Sequence, residues 1–149
     1  MNDPYLDLVK HIDGTGSDVE YGVINELRKK LGNRLPSLLF EKYKSSKQWK
    51  IRRSCVYHSI RYARESDDAV RLGIVAIEDK SKVVRYRACM LLAYALKKET
   101  IFSLKQAEKK FLDKESLDNF SAAIDAIENQ NSNFFVDRGH SGRIFFSSN

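Results

Sequence analysis

Apolar residues recur three and four positions apart along most of this chain. Val19, Val23, Ile24, Leu27 and Leu31 form one such stripe, the spacing of a helix buried on a single face. Gly14-Thr15-Gly16-Ser17 precedes it as a flexible break, with Ser17 or Asp18 placed to cap the helix, and Gly32-Asn33 follows as its stop. Pro36 suits the first turn of a short helix through Leu38, Leu39 and Tyr43, which a turn at 44–47 closes. Helical spacing then continues to about Asn129, predicting helices over 49–64, 67–78, 82–97, 101–112 and 116–128. No segment before residue 130 alternates with period two, so this part reads as all helix.

The pattern changes after Asn129-Gln130-Asn131-Ser132. Phe134-Phe135-Val136 and Ile144-Phe145-Phe146 flank Asp137-Arg138-Gly139-His140-Ser141-Gly142-Arg143. Two apolar runs around a glycine-bearing turn predict a small β-hairpin, or failing that an extended tail, over 130–149. Its phenylalanines need cover, which the last helices or a partner would supply. Capping the open end of the helical array is its expected role.

The helical breaks are evenly spaced. Asp79 and Asp113 each end one apolar helix and precede the next, 34 residues apart. At a shift of 33, Lys50-Ile51-Arg52-Arg53-Ser54-Cys55 aligns with Val83-Val84-Arg85-Tyr86-Arg87-Ala88. A third copy, Leu117-Asp118-Asn119-Phe120-Ser121-Ala122, has lost the arginine. Each unit pairs two helices, and so small a pair hides both apolar faces only by stacking on its neighbours.

The stretch Asp79-Lys80-Ser81-Lys82-Val83-Val84-Arg85-Tyr86-Arg87-Ala88, followed by Leu91-Leu92-Ala93, resembles the HEAT repeat. That family places an aspartate in the turn, then a valine–arginine pair, then alanine and leucine along the second helix. The likeness covers roughly residues 36–128, best around Asp79 and weakest around Asp113. It implies an all-α, short right-handed α-solenoid of helix pairs. It also implies a structural ladder between repeats, to which Arg52, Arg85 and Asp79 are assigned. The expected layout is a single domain over 1–149, with N-terminal helices at 17–45, HEAT-like pairs at 46–129 and the tail beyond.

Charge adds a location to this picture. The 149 residues carry 26 Lys+Arg against 20 Asp+Glu, a net of +6. Residues 41–65 alone hold 8 basic and 2 acidic side chains, and residues 113–149 hold 3 and 6. A field concentrated in this way attracts an anionic partner.

The resemblance puts the second helix of each pair on the concave face. On 49–64, Ile51, Cys55, Val56, Ile60 and Ala63 are assigned to the core, leaving Lys50, Arg53, Tyr57, Arg61 and Arg64 on the opposite stripe. On 82–97, Val84, Ala88, Leu91, Leu92 and Ala95 face in, while Arg87, Met90, Tyr94 and Lys97 face out. An ordinary solvated face is charged without aromatics. Rings among arginines are the residue types of binding hot spots, so these nine residues are the candidate partner-binding set.

Catalytic chemistry finds little footing. His11, His58 and His140 are scattered and Cys55 and Cys89 lie on different helices, so no zinc spacing exists and neither metal nor cofactor is expected. Both cysteines read as small buried hydrophobes. Asp137, His140 and Ser141 crowd one loop, whereas triads draw their members from distant segments. Gly14-Thr15-Gly16 lacks the rest of a phosphate-binding loop. No enzyme is expected. The opening Met1-Asn2-Asp3-Pro4-Tyr5 lacks the basic and apolar stretches of a signal, and no run of about 18 apolar residues predicts a membrane span, so a reduced cytoplasmic setting is expected.

Two functional classes follow. A small HEAT-like chain without enzyme motifs resembles bacterial immunity proteins. That resemblance implies an acidic-surfaced protein as partner, a cognate toxin domain, covered by the basic and aromatic face. The same face resembles the HEAT-like DNA glycosylases for alkylated bases, and that alternative implies nucleic acid in a positive groove, with arginines on phosphates and tyrosines stacking.

Overall fold

A computed structural model of the chain describes residues 5–147. Residues 1–4 and 148–149 lie outside the described residues. The α-helices in chain order are α1 (Leu6–Val9), α2 (Asp18–Leu31), α3 (Leu35–Ser45), α4 (Trp49–Tyr57), α5 (Asp67–Ala76), α6 (Lys82–Ala95), α7 (Ile101–Glu108) and α8 (Lys114–Glu128). Short 3-10 turns occupy Gly32–Arg34, Ile60–Tyr62, Lys98–Thr100 and Ser132–Phe135. Every regular element among the described residues is helical, and none of those helices is long and apolar enough to cross a membrane.

Local chemistry sets the helix starts. The side chains of Ser17, Ser66, Ser81 and Asp113 each accept a bond from the backbone N–H three residues on, capping α2, α5, α6 and α8. Pro36 sits in the first turn of α3, where its missing N–H costs nothing.

Successive helices pair as α3 with α4, α5 with α6 and α7 with α8, and α4, α6 and α8 pack side by side. Helix α6 therefore has neighbours on three sides. Its buried set, from Val84 through Ala95, wraps most of its circumference and includes Met90. Gly73 lets α5 approach α6 closely, for an added Cβ would stand 2.8 Å from Leu91 Cδ2 and 2.9 Å from Leu92 Cδ2.

Between the helix pairs runs a row of ion pairs. Arg52 donates through Nε to Asp79 Oδ2 at 2.8 Å and through Nη2 to Oδ1 at 3.1 Å, and Tyr43 Oη donates to the same carboxylate at 2.6 Å. Arg85 reaches the next turn, donating to Ser116 Oγ at 3.0 Å and to Asp113 Oδ1 at 3.5 Å. Burial opposes the charge on Asp79, but hydrogen bonds from Arg52, Tyr43 and the Ser81 N–H outweigh it and hold the carboxyl below its ordinary range. Burial and the Asp79 bond push the Tyr43 hydroxyl up.

Two sequence expectations need correction. The helix expected over 49–64 stops at Tyr57 and resumes as the 3-10 turn Ile60–Tyr62. Ser59 Oγ donates back to the Cys55 carbonyl at 2.8 Å, a local bond that competes with the helical ladder. The hairpin expected after residue 130 is not there, since the described residues contain no strand. Asp137 is the reason: its carboxylate accepts from Ser141 N, Ser141 Oγ and Gly142 N at 2.8–2.9 Å, curling the chain into a loop. The aromatic runs then part company. Phe135 is fully buried beside Tyr86, Phe134 stacks on His140, Phe146 stacks on Tyr94, and Phe145 stays 71% exposed. Arg138 of this loop donates to Asn119 Oδ1 at 2.9 Å, at the position where the third helix pair lacks its arginine.

Candidate functional site

The loop before α2 folds down onto α4. Gly14 has φ +79, and an added Cβ would stand 2.5 Å from the Lys50 carbonyl carbon, so only glycine fits this contact. Asp13 holds the turn by accepting from Thr15 N at 3.0 Å and Thr15 Oγ1 at 2.6 Å. Gly14 N donates to the buried Glu20 carboxylate, which also accepts from Ser54 Oγ at 3.2 Å, while Arg53 Nη2 donates to the Gly14 carbonyl at 2.7 Å. Glu20, Ser54 and Arg53 thus clasp the N-terminal loop to α4.

Beside this clasp lies a cavity of about 390 Å³. Helix α2 contributes Glu20 and Tyr21, α4 contributes Arg53, Ser54 and Tyr57, and α6 contributes Arg87 and Met90. His58 and Ile60 complete the wall, and Ser147 of the tail reaches it. The Arg87 guanidinium lies over the Tyr57 and Tyr86 rings at 4.9 and 5.4 Å, with Nη1 turned toward Met90 Sδ at 3.6 Å. Arg53 covers the Trp49 ring at 5.2 Å. Such cation–π contacts orient a guanidinium without neutralising it.

His58 stands edge-on to both Tyr21 (5.6 Å) and Tyr57 (5.1 Å) and is 2% exposed. Burial first, and the charge of Arg28 second, push its pKa down to about 4, so the ring is neutral at neutral pH. Its Nδ1 is buried with no hydrogen-bond partner.

The nine predicted residues therefore divide. Arg53, Tyr57, Arg87 and Met90 meet at the cavity. Tyr94 and Arg64 form a second cluster: the Arg64 guanidinium is 4.1 Å from the Tyr94 ring, its Nε donates to the Tyr94 carbonyl at 2.8 Å, and Phe146 stacks on Tyr94 at 5.4 Å. Lys50 is exposed beside the Trp49 ring, and Arg61 is exposed beside Tyr62. Lys97 is half-buried just past the end of α6. The break at His58 explains the separation of Arg61 and Arg64 from Arg53, because a continuous helix was needed to align them. Met90, expected to face out, is only 8% exposed, since it sits at the floor where α4 meets α6.

Sequence reasoning missed Glu20, Tyr21 and His58. Nothing in the spacing of α2 announces that its first turn meets α4, and His58 reads as an isolated histidine. Elsewhere, Ser141 Oγ donates to Asp137 at 2.8 Å, while His140 Nε2 pairs with Asp125 at 2.6 Å. The histidine is thus turned to another carboxylate, and the loop lacks the base–nucleophile contact of a triad. No cluster of three or more His, Cys, Asp or Glu side chains suited to a metal occurs among the described residues. Cys55 and Cys89 are fully buried free thiols, and burial pushes Cys55 up to about 12. Neither a protein-family profile nor a curated protein matches the chain.

Proposed function

We propose that this protein is a binding module without chemistry of its own, a short right-handed solenoid of HEAT-like helix pairs whose basic and aromatic inner face holds an acidic-surfaced protein. The ion-pair row from Arg52–Asp79 to Arg85–Asp113 supports the HEAT-like part of this reading, as does the side-by-side row of α4, α6 and α8. The likeness to immunity proteins makes a toxin domain the partner to test first.

One observation carries the functional part. The arginines of α4 and α6 fall into two sets. Arg52 and Arg85 are buried and paired with aspartates. Arg53 and Arg87, one or two residues further along, have no carboxylate partner among the described residues and rest on aromatic rings instead. Half-buried guanidiniums mounted on rings and lacking a counter-charge form a surface that gains most from an incoming carboxylate.

The test is co-expression with the protein encoded beside this one, followed by affinity measurement across a salt series. A complex is expected, weakened at least about tenfold by Arg53→Glu with Arg87→Glu, the usual scale for reversing charges at a binding centre. Undiminished binding by that double variant would overturn the choice of face. Binding of generic duplex DNA with a log–log salt slope of about −4 to −5 would instead favour the nucleic-acid reading.

A further inference from the structure

The cavity between α2, α4 and α6 has a charge that selects among anions. Arg53 and Arg87 contribute two positive charges and Glu20 one negative, while His58 is enclosed by two tyrosine rings. The Glu20 side chain is already engaged within the wall, accepting from the Gly14 N–H and the Ser54 hydroxyl. Among the described residues the lining is therefore short of one negative charge. A carboxylate supplies one, whereas a phosphate brings about −1.5 to −2 and would be left in excess beside Glu20.

Shape agrees with charge. The Arg87 guanidinium lies over two rings, at 4.9 Å from Tyr57 and 5.4 Å from Tyr86, and its planar fork suits two-point contact with a carboxylate. Met90 and the Tyr57 ring offer apolar surface for a short methylene stem. The unpartnered, buried Nδ1 belongs to His58, on the same wall. Most buried polar atoms are hydrogen-bonded, so an orphan on a cavity wall calls for an explanation, and an occupant that could reach it is one. A volume of about 390 Å³ exceeds what one carboxylate fills and falls in the range of sites that take a whole side chain with its flanking backbone.

We infer that this cavity is the seat of a single acidic side chain of the partner protein, its carboxylate held by Arg87 and Arg53 and its stem packed on Met90 and Tyr57. The inference rests on the docking face proposed above and names what that face recognises: one inserted carboxylate rather than diffuse acidity.

The probes are blocked tripeptides, acetyl-Gly-Glu-Gly-amide and acetyl-Gly-Asp-Gly-amide, against acetyl-Gly-Gln-Gly-amide, with glutarate and inorganic phosphate as free anions. NMR of the arginine Nε–H signals and the methionine methyls reads the result. An acidic tripeptide is expected to give saturable shifts at Arg87 and Met90, binding at least about fivefold tighter than phosphate and than glutarate, with no saturation by the glutamine peptide. Arg87→Gln should abolish these shifts and Arg87→Lys should weaken them, while Lys105→Gln, exposed on α7 and outside the cavity lining, leaves them unchanged. Equal binding of the glutamine and glutamate peptides, or tighter binding of phosphate, overturns the seat in wild-type protein regardless of how the variants fold. Tighter binding of glutarate than of either acidic peptide overturns the partner side chain as occupant. If the seat fails while the double charge reversal still disrupts the co-expressed complex, the docking face stands. If both fail, both readings fall.

Discussion

Replacing His58 with phenylalanine isolates one buried titration. The ring keeps its place between Tyr21 and Tyr57 while losing the ability to take a proton. In the folded protein His58 titrates near 4, against an ordinary value of 6.5. Between those values the unfolded chain binds a proton that the folded chain refuses, so stability rises with pH. The contribution is complete above about pH 6.5 and drains away as pH falls toward 4. At about 1.36 kcal/mol for each unit, the full effect is roughly 3 kcal/mol, of which about 2–3 kcal/mol is gone by about pH 4.5.

Urea denaturation followed by Trp49 fluorescence and far-ultraviolet circular dichroism, at several pH values from about 7.5 to 4.5, measures it. Wild type should lose about 2–3 kcal/mol more than His58→Phe across that range, equivalent to about 5–10 °C in melting temperature for a domain of this size. At neutral pH the variant should be as stable as wild type or slightly more so, since it removes a buried nitrogen without a partner. Carboxylates such as Asp79, held below their ordinary range, contribute stability that is lost at lower pH still, and they cancel between the two proteins. Parallel pH curves for wild type and variant would refute the assignment of a neutral, buried His58.

Two further substitutions probe the frame around the site. Asp79→Ala strips the acceptor from Arg52 and Tyr43 together and leaves a buried guanidinium unpaired, so unfolding in urea should show a loss of about 3–5 kcal/mol; a loss below about 1 kcal/mol would mean the ion-pair row is incidental. Gly14→Ala forces a side chain into positive φ and against the Lys50 backbone, for an expected cost of about 1–3 kcal/mol. Thermal melts measure that cost, and a changed Arg53 Nε–H signal should accompany it as the clasp to the Gly14 carbonyl loosens.

The helices were legible because their apolar spacing and their serine and aspartate caps act within a few residues. Val84, Ala88, Leu91 and Leu92 sit where their periodicity put them. The ion-pair row was expected as well, through the resemblance that assigned Arg52, Arg85 and Asp79 to a ladder. What escaped depends on contacts between distant segments or on one side chain overriding a pattern. Ser59 bonds the Cys55 carbonyl four residues back where α4 gives way to a 3-10 turn, a break that the apolar stripe continuing through Ile60 and Ala63 concealed. Asp137 turns the tail into a loop although its flanks look like paired strands. One side of the cavity wall comes from α2, whose Glu20 looks like one more acidic first-turn residue until it is seen to bridge Gly14 and Ser54.

A shift of 33 residues in the sequence shows how the frame and the cavity differ. Arg52 and Arg85 are equivalent at a shift of 33, and both join the ion-pair row. The cavity arginines are not equivalent to each other. At the same shift Arg53 corresponds to Tyr86, whose ring lies beneath Arg87, and Arg87 corresponds to Ser54, which binds Glu20. On this alignment the matching arginines join the ion-pair row, while the positions that differ line the cavity: Ser54 clasps the N-terminal loop, and Arg87 at the corresponding place faces the cavity. Because adjacent positions on a helix point about 100° apart, changes at Arg53 and Arg87 can retune what the cavity accepts without touching the row that holds the helix pairs together. A reading that made every arginine structural, or every arginine a ligand contact, would predict equal stability losses at Arg52 and Arg53; the arrangement requires a larger loss at the first, which is buried in an ion pair, than at the second, which holds one carbonyl.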